Sequence, residues 1–159
     1  MSGARLTIRD VKPGLALPEL AVDVTATTVV LGALASRDWR PMHHDKDFAQ
    51  QRNGVRDIFL NTPNLAAWYE RYLTDWSGPT GRLGRVKFRM RDSIFPGDRM
   101  VLRGTVEKVE TDEAGCAWAE VAVSIAVGER ICTDCTARIA LPSAPGDNPW
   151  RRKGADWRP

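Results

Sequence analysis

The sequence predicts an α+β domain in which one antiparallel β-sheet wraps around a single long helix. Two observations lead there. Residues 63–76 carry an apolar stripe at helical spacing that is loaded with aromatic rings. The four segments that follow alternate apolar and polar side chains with a period of two, as strands with one buried face do.

The elements follow in order. Residues 1–20 read as loop, punctuated by Pro13, Gly14 and Pro18. The stretch AVDVTATTVVLGAL (21–34) is rich in Val and Thr and reads as β-structure. RDWRPMHHDKDFA (37–49) is a polar loop holding both histidines of the chain, and residues 47–52 suit a short helix that stops before Gly54. In Pro63–Trp76, Leu65, Trp68, Tyr69, Tyr72, Leu73 and Trp76 fall on one helical face. Thr62 suits the N-cap and Pro63 the first helical position, where a missing N–H costs nothing. SGPTG (77–81) ends this helix.

Residues 85–91 set Arg85, Lys87, Arg89 and Arg91 against Val86, Phe88 and Met90. FPGD (95–98) is a turn, and 99–109 is the next strand. After TDEAG, Ala119, Val121, Val123, Ile125 and Val127 share a face. After Gly128, Ile131, Thr133, Cys135, Ala137, Ile139 and Leu141 share another. This order satisfies every apolar face in the hotdog fold. The expected organisation is an N-terminal extension (1–14), the hotdog domain (15–141) and a basic Pro/Gly-rich tail (142–159), disordered or acting as a docking arm. A lone hotdog sheet leaves an edge open, so pairing with a second one is expected.

Composition narrows the class. A chain of 159 residues suggests one domain, and no apolar run approaches the ~20 residues of a membrane span. The N-terminal MSGARLTIRDVKPG lacks the apolar core of a signal peptide. Three cysteines (Cys116, Cys132, Cys135) suggest free thiols in the cytoplasm. The net charge of +3 resides in the tail, on Arg151, Arg152, Lys153 and Arg158 against Asp156. The body is therefore neutral, which argues against nucleic acid as a partner. In that tail, Trp150 and Trp157 suit anchoring on a partner subunit.

The chemistry-bearing residues cluster in 37–49. Asp38 and His43 lie on a loop that Pro41 can bend, so both could meet one water as an acid–base pair; a solvated polar loop is the plain alternative. A metal site from His43, His44, Asp45 and Asp47 is disfavoured, because adjacent loop histidines seldom reach one ion. His44 is expected to make a structural hydrogen bond. Cys132-Thr-Asp-Cys135 lies on a strand whose alternation sends the two thiols to opposite faces, so both read as structural. Asn61 suits either a cap or a substrate ligand.

Asp38-Trp39-Arg40-Pro41-Met42-His43 resembles the Asp-x-Asn-Pro-(Ile/Leu)-His signature of MaoC-like (R)-specific enoyl-CoA hydratases, and Phe95-Pro96-Gly97-Asp98 resembles that family's turn into a long strand. RDW…HHD (37–45), RDIF (56–59), Asn61 and RYLTDWSGP (71–79) resemble the small MaoC-like subunit of actinobacterial steroid side-chain enoyl-CoA hydratases, over roughly residues 15–141. The resemblance implies hydration of a trans-2-enoyl-CoA with a bulky steroid-derived acyl group. Asp38 and His43 would share a water, and Asn61 and the Thr62 N–H would meet the thioester. The Arg85/Lys87/Arg89/Arg91 row reads first as a solvated strand face, with Arg89 or Arg91 as the candidates within it to meet coenzyme A phosphates. It also implies a second MaoC-like hotdog subunit or a homo-oligomer, and no metal, redox cofactor or membrane. Two departures stand out: Arg40 replaces the motif's Asn, and Asn61-Thr62 replaces the family's His-Gly. The rival readings are a non-catalytic hotdog partner, a hotdog thioesterase and a nucleic-acid module using the tail.

Overall fold

In the computed structural model, which describes residues 6–159, the chain runs β1 (Leu20–Asp23), α1 (Ala26–Ala35), α2 (Lys46–Asn53), α3 (Thr62–Ser77), β2 (Arg82–Met90), β3 (Arg99–Thr111), β4 (Ala117–Val127) and β5 (Arg130–Leu141). The strands form one antiparallel sheet in the order β1-β3-β4-β5-β2, leaving β1 and β2 as edges. Leu65, Tyr69, Tyr72 and Leu73 of α3 are buried in one core with Leu102, Val106, Val121, Val123, Ile125 and Ile139 of the sheet. Each such side chain contributes roughly 1.5–3 kcal/mol on burial, which is what holds a sheet around a helix. Among the described residues no helix is long and apolar enough to cross a membrane.

Three readings of secondary structure need correction. Only Leu20–Asp23 of the Val/Thr-rich stretch is strand; Ala26–Ala35 is helical. Its start is a capping box in which the Thr25 hydroxyl accepts from Thr28 N–H at 3.1 Å. Burial of Val29 and Ala33, four apart, then outweighs the β-branched propensity. Second, Asn61 caps α3 instead of Thr62: its Oδ1 accepts the Asn64 N–H at 3.1 Å.

Third, β5 changes phase. Ile125 faces Thr133 while Ala126 faces Ile131, so Cys132 is an extra, bulged residue. Ile131 is therefore exposed, and Cys132 and Cys135 both enter the core instead of facing apart. Burial pushes the Cys135 thiol up to about 12, which suits an inert packing role.

α1 docks on α3 through a close approach at Gly32. A Cβ there would stand 1.8 Å from Nδ2 of Asn64, whose amide donates to Thr28 C=O at 3.1 Å. We expect Gly32→Ala to expel that amide and destabilise the chain by about 1–3 kcal/mol. An unchanged denaturation midpoint in urea would contradict this packing.

The tail is also ordered on its own domain. It makes one-turn helices at Pro149–Arg151 and Gly154–Asp156. Trp157 packs on Trp118 of β4 at 4.9 Å between ring centroids, with the Arg82 guanidinium 3.5 Å from the Trp157 ring centre. Arg82 donates to the carbonyls of Pro149 and Arg152, and Arg138 to that of Arg158. Trp157 thus anchors the tail to its own sheet, where a partner subunit was expected. Trp150 donates to Gly81 C=O and keeps an exposed face.

Candidate active site

The site is built where α1 ends and α3 begins. Ser36 follows α1, and Arg37 takes a left-handed conformation (φ 54°). Its N–H donates to Leu34 C=O and that of Asp38 to Ala33 C=O, the paired bonds of a Schellman ending. A non-glycine residue there costs on the order of 1 kcal/mol, and it delivers Asp38 at a fixed angle. Pro41 then opens a single 3-10 turn, Pro41–His43, which carries the imidazole inward.

His43 is buried, against the plain reading of a solvated loop. Its Nδ1 lies 2.8 Å from Phe59 C=O, and its ring meets Phe59 edge-on at 4.9 Å. A carbonyl only accepts, so Nδ1 carries a proton, and whenever the ring is neutral Nε2 is its open nitrogen. Nε2 faces Oδ2 of Asp38 at 3.5 Å. Behind His43 stand the two motifs of the resemblance. Phe59 packs against Phe95, Asp98 accepts the Phe95 N–H at 2.9 Å, and Arg56 pairs with Asp98 while lying over the Phe95 ring. RDIF and FPGD are therefore one brace for the imidazole.

Asp38 is gripped from several sides. Arg40 donates through Nε to Oδ1 and through Nη2 to Oδ2, both at 2.8 Å. Asn61 Nδ2 donates to Oδ2 at 3.0 Å and to Ser36 Oγ at 2.9 Å. The Arg40 bonds, against the opposing effect of burial and with help from Asn61, hold the carboxyl well below the usual carboxylate range. Asp38 is thus ionised at working pH. The side chains of His43 and Asp38 are 3% and 10% exposed, whereas that of Arg40, lying on Asp38, is 62% exposed. A surface pocket of about 390 Å3 is remote from this pair in lining: Arg85, Lys87, Glu120, Thr136, Ala137 and Arg138 form it on β2, β4 and β5.

Thr62 provides the first helical amide of α3, whose N–H has no intrahelical acceptor and sits at the positive end of the helix. Its hydroxyl donates to Met90 Sδ at 3.1 Å, tying the end of β2 to the site. Arg91 pairs with Asp134, while Arg89 is exposed and makes no ion pair among the described residues. The structure brings Asp38, His43, Asn61 and Thr62 together; it gives no geometry for a phosphate at Arg89 or Arg91. His44 is exposed and makes no side-chain hydrogen bond among the described residues, contrary to expectation. No group of three or more His, Cys, Asp or Glu able to hold a metal ion is present among the described residues. Phe59 C=O, which sets the tautomer, is a backbone group with no signature in the sequence. Ser36 likewise offers no motif.

A sheet wrapped on one helix, with an acidic and a basic side chain gathered at the helix N-terminus, defines a protein of the hotdog fold. No family model matches the chain. The chain is 35% identical over 96 residues to the beta subunit of 3-oxo-4,17-pregnadiene-20-carboxyl-CoA hydratase of Mycobacterium tuberculosis, covering 60% of this chain and 74% of that one. It also matches a chain of the crystallised ChsH1–ChsH2 complex of the same organism, with a TM-score of 0.75 and 28% identity over 82% of this chain and 98% of that one. The (R)-hydratase of A. caviae involved in PHA biosynthesis shares the fold, with a TM-score of 0.75 and 20% identity over 84% and 99% of the two chains. The chain belongs to the MaoC-like family of hotdog hydratases.

Proposed function

We propose that this chain is an enoyl-CoA hydratase subunit that adds water across the trans-2 double bond of a bulky, steroid-derived acyl-CoA. The observation that carries the proposal is the 3.5 Å approach of His43 Nε2 to Asp38 Oδ2 at the start of α3. In the neutral ring both atoms are acceptors, so a water donating one O–H to each bridges them. Asp38, already engaged by Arg40 and Asn61, is a poor proton acceptor and orients this water. Nε2 takes its proton as the oxygen bonds to Cβ. The C=C electron pair moves toward Cα and the thioester oxygen, where the Thr62 N–H and the helix end offset the developing charge. The imidazolium then returns a proton to Cα, leaving the 3-hydroxyacyl-CoA. The likeness to the beta subunit of a 3-oxo-4,17-pregnadiene-20-carboxyl-CoA hydratase supports the acyl class.

A second hotdog subunit completes the assembly, and the open β2 edge is the surface for it. Arg85, Lys87 and Arg89 are exposed on one face of β2 and make no ion pair among the described residues. Symmetric self-pairing along β2, with the helices on one side, would set this row against its own copy. Each like-charged neighbour costs roughly 0.2–1 kcal/mol. A different subunit avoids that cost, and the similar chain of the ChsH1–ChsH2 structure was crystallised in a complex of two different subunits. For the purified chain alone, sedimentation should show self-association strengthening as salt screens the row; association that weakens with salt would contradict it. Three free buried cysteines fit a reducing cytoplasm.

The test is an absorbance assay with an unsaturated steroid acyl-CoA, run with and without the second subunit. Loss of the conjugated thioester band with no free thiol is the expected result. Release of free thiol would instead make the chain a thioesterase.

A further inference from the structure

We infer that Arg40 is a positioning residue of the hydration site, holding Asp38 by a two-point grip so that one fixed oxygen faces His43 and the reacting water. The inference rests on the assignment of Asp38 and His43 made above. It concerns the position where the sequence departs from the family signature, which has Asn there.

The geometry carries it. Nε and Nη2 each reach a different carboxylate oxygen at 2.8 Å, and the Arg40 backbone N–H approaches Oδ1 at 3.4 Å. Two parallel bonds define the plane of the carboxylate, which one bond does not. The backbone is preset for this. Arg40 precedes Pro41 and lies in the extended region (φ −64°, ψ 129°), a conformation that the proline imposes on its predecessor. Oδ2 then receives Asn61 Nδ2 at 3.0 Å and faces His43 Nε2 at 3.5 Å. Arg40 and His43 are the charged or titratable groups against this carboxylate; Asn61, from the start of α3, is neutral. An exposed Arg on an exposed Asp would be an ordinary surface pair of little consequence. Here the carboxylate is nearly covered, and the guanidinium lies on it from the solvent side.

Without Arg40 the carboxylate is free to rotate about its remaining Asn61 bond and regains ordinary basicity. The bound substrate does not need Arg40, but the water does. Steady-state turnover of the same enoyl-CoA, with the complete hydratase assembly, separates these consequences. Arg40→Gln should lower kcat by about 10- to 100-fold with KM within about threefold, the scale of a misplaced reacting group. Arg40→Lys should recover only part, because an ammonium keeps the charge and loses the planar fork. A carboxyl 13C titration of the isolated chain, with Asp38 assigned through Asp38→Asn, gives a readout that a merely structural role would not move and that does not depend on the protonation of His43. The wild-type Asp38 carboxyl should stay ionised below pH 4, whereas in Arg40→Gln it should titrate in the ordinary aspartate range, about 4.

Arg40→Gln with unchanged kcat and an Asp38 resonance still ionised below pH 4 would overturn the inference. So would a raised KM at constant kcat, which would make Arg40 a substrate contact. Both results leave the site assignment standing if Asp38→Asn is inactive. Near-normal turnover in Asp38→Asn would overturn the site assignment and this inference with it.

Discussion

Asp38→Asn is expected to lower kcat by at least ~10²-fold, and His43→Ala by a similar factor, the usual scale for loss of general acid–base help. The first substitution is nearly isosteric and removes the charge that orients the water and offsets the imidazolium. The second removes Nε2, empties the place of a buried side chain and leaves the half-buried Phe59 C=O without its 2.8 Å donor. Lost packing and a lost donor together cost about 1–3 kcal/mol, so His43→Ala should melt earlier while Asp38→Asn should not lose packing. The two side chains act on one water, so the double variant should fall little further than either single one. Additive losses, or near-normal turnover in Asp38→Asn, would break the proposed pair. Melting curves taken beside the kinetics separate lost chemistry from lost fold.

The largest stability effect is expected at Trp118. This indole is fully buried and donates from Nε1 to Asp112 Oδ2 at 2.8 Å. Arg138 covers its ring at 4.2 Å, and Trp157 packs on it from the tail. Trp118→Ala should cost about 3–5 kcal/mol through lost burial and the cavity left behind. At roughly 2–4 °C per kcal/mol for a chain of this size, Tm should fall by about 6–20 °C. Truncation after residue 148 removes Trp157 and should lower Tm by a smaller amount, because Trp118 keeps its inner contacts. A Trp118→Ala variant melting within a few degrees of the wild type would contradict this account of how the tail is held.

These two regions differ in how far they could be read from the residues alone. The helix at 62–77 was legible because its apolar stripe is long and amphipathic, and β3 and β4 because their alternation is clean. α1 was not, because its residues favour strands locally and its helical state depends on packing against Asn64 and the core. The bulge at Cys132 was hidden for a different reason: one inserted residue reverses the phase of everything before it without changing composition. At the site, Asp38 and His43 were legible as residue types in a motif. The Phe59 carbonyl was not, since a backbone acceptor leaves no mark on the sequence. Arg40 was visible as a departure from a signature, but its grip on Asp38 depends on the extended backbone before Pro41. The tail's Pro, Gly and charge suit either disorder or a docking arm, and composition does not choose between them; two tryptophans and the carbonyls of Pro149, Arg152 and Arg158 tie it to the sheet.

A crystal structure of the hydratase assembly with the 3-hydroxyacyl-CoA product bound tests the central claim most directly. The product's Cβ hydroxyl is expected within hydrogen-bond distance, about 2.6–3.2 Å, of both His43 Nε2 and Asp38 Oδ2, with the thioester oxygen toward the Thr62 N–H. A hydroxyl that meets neither side chain, or an acyl group seated away from the start of α3, would contradict it.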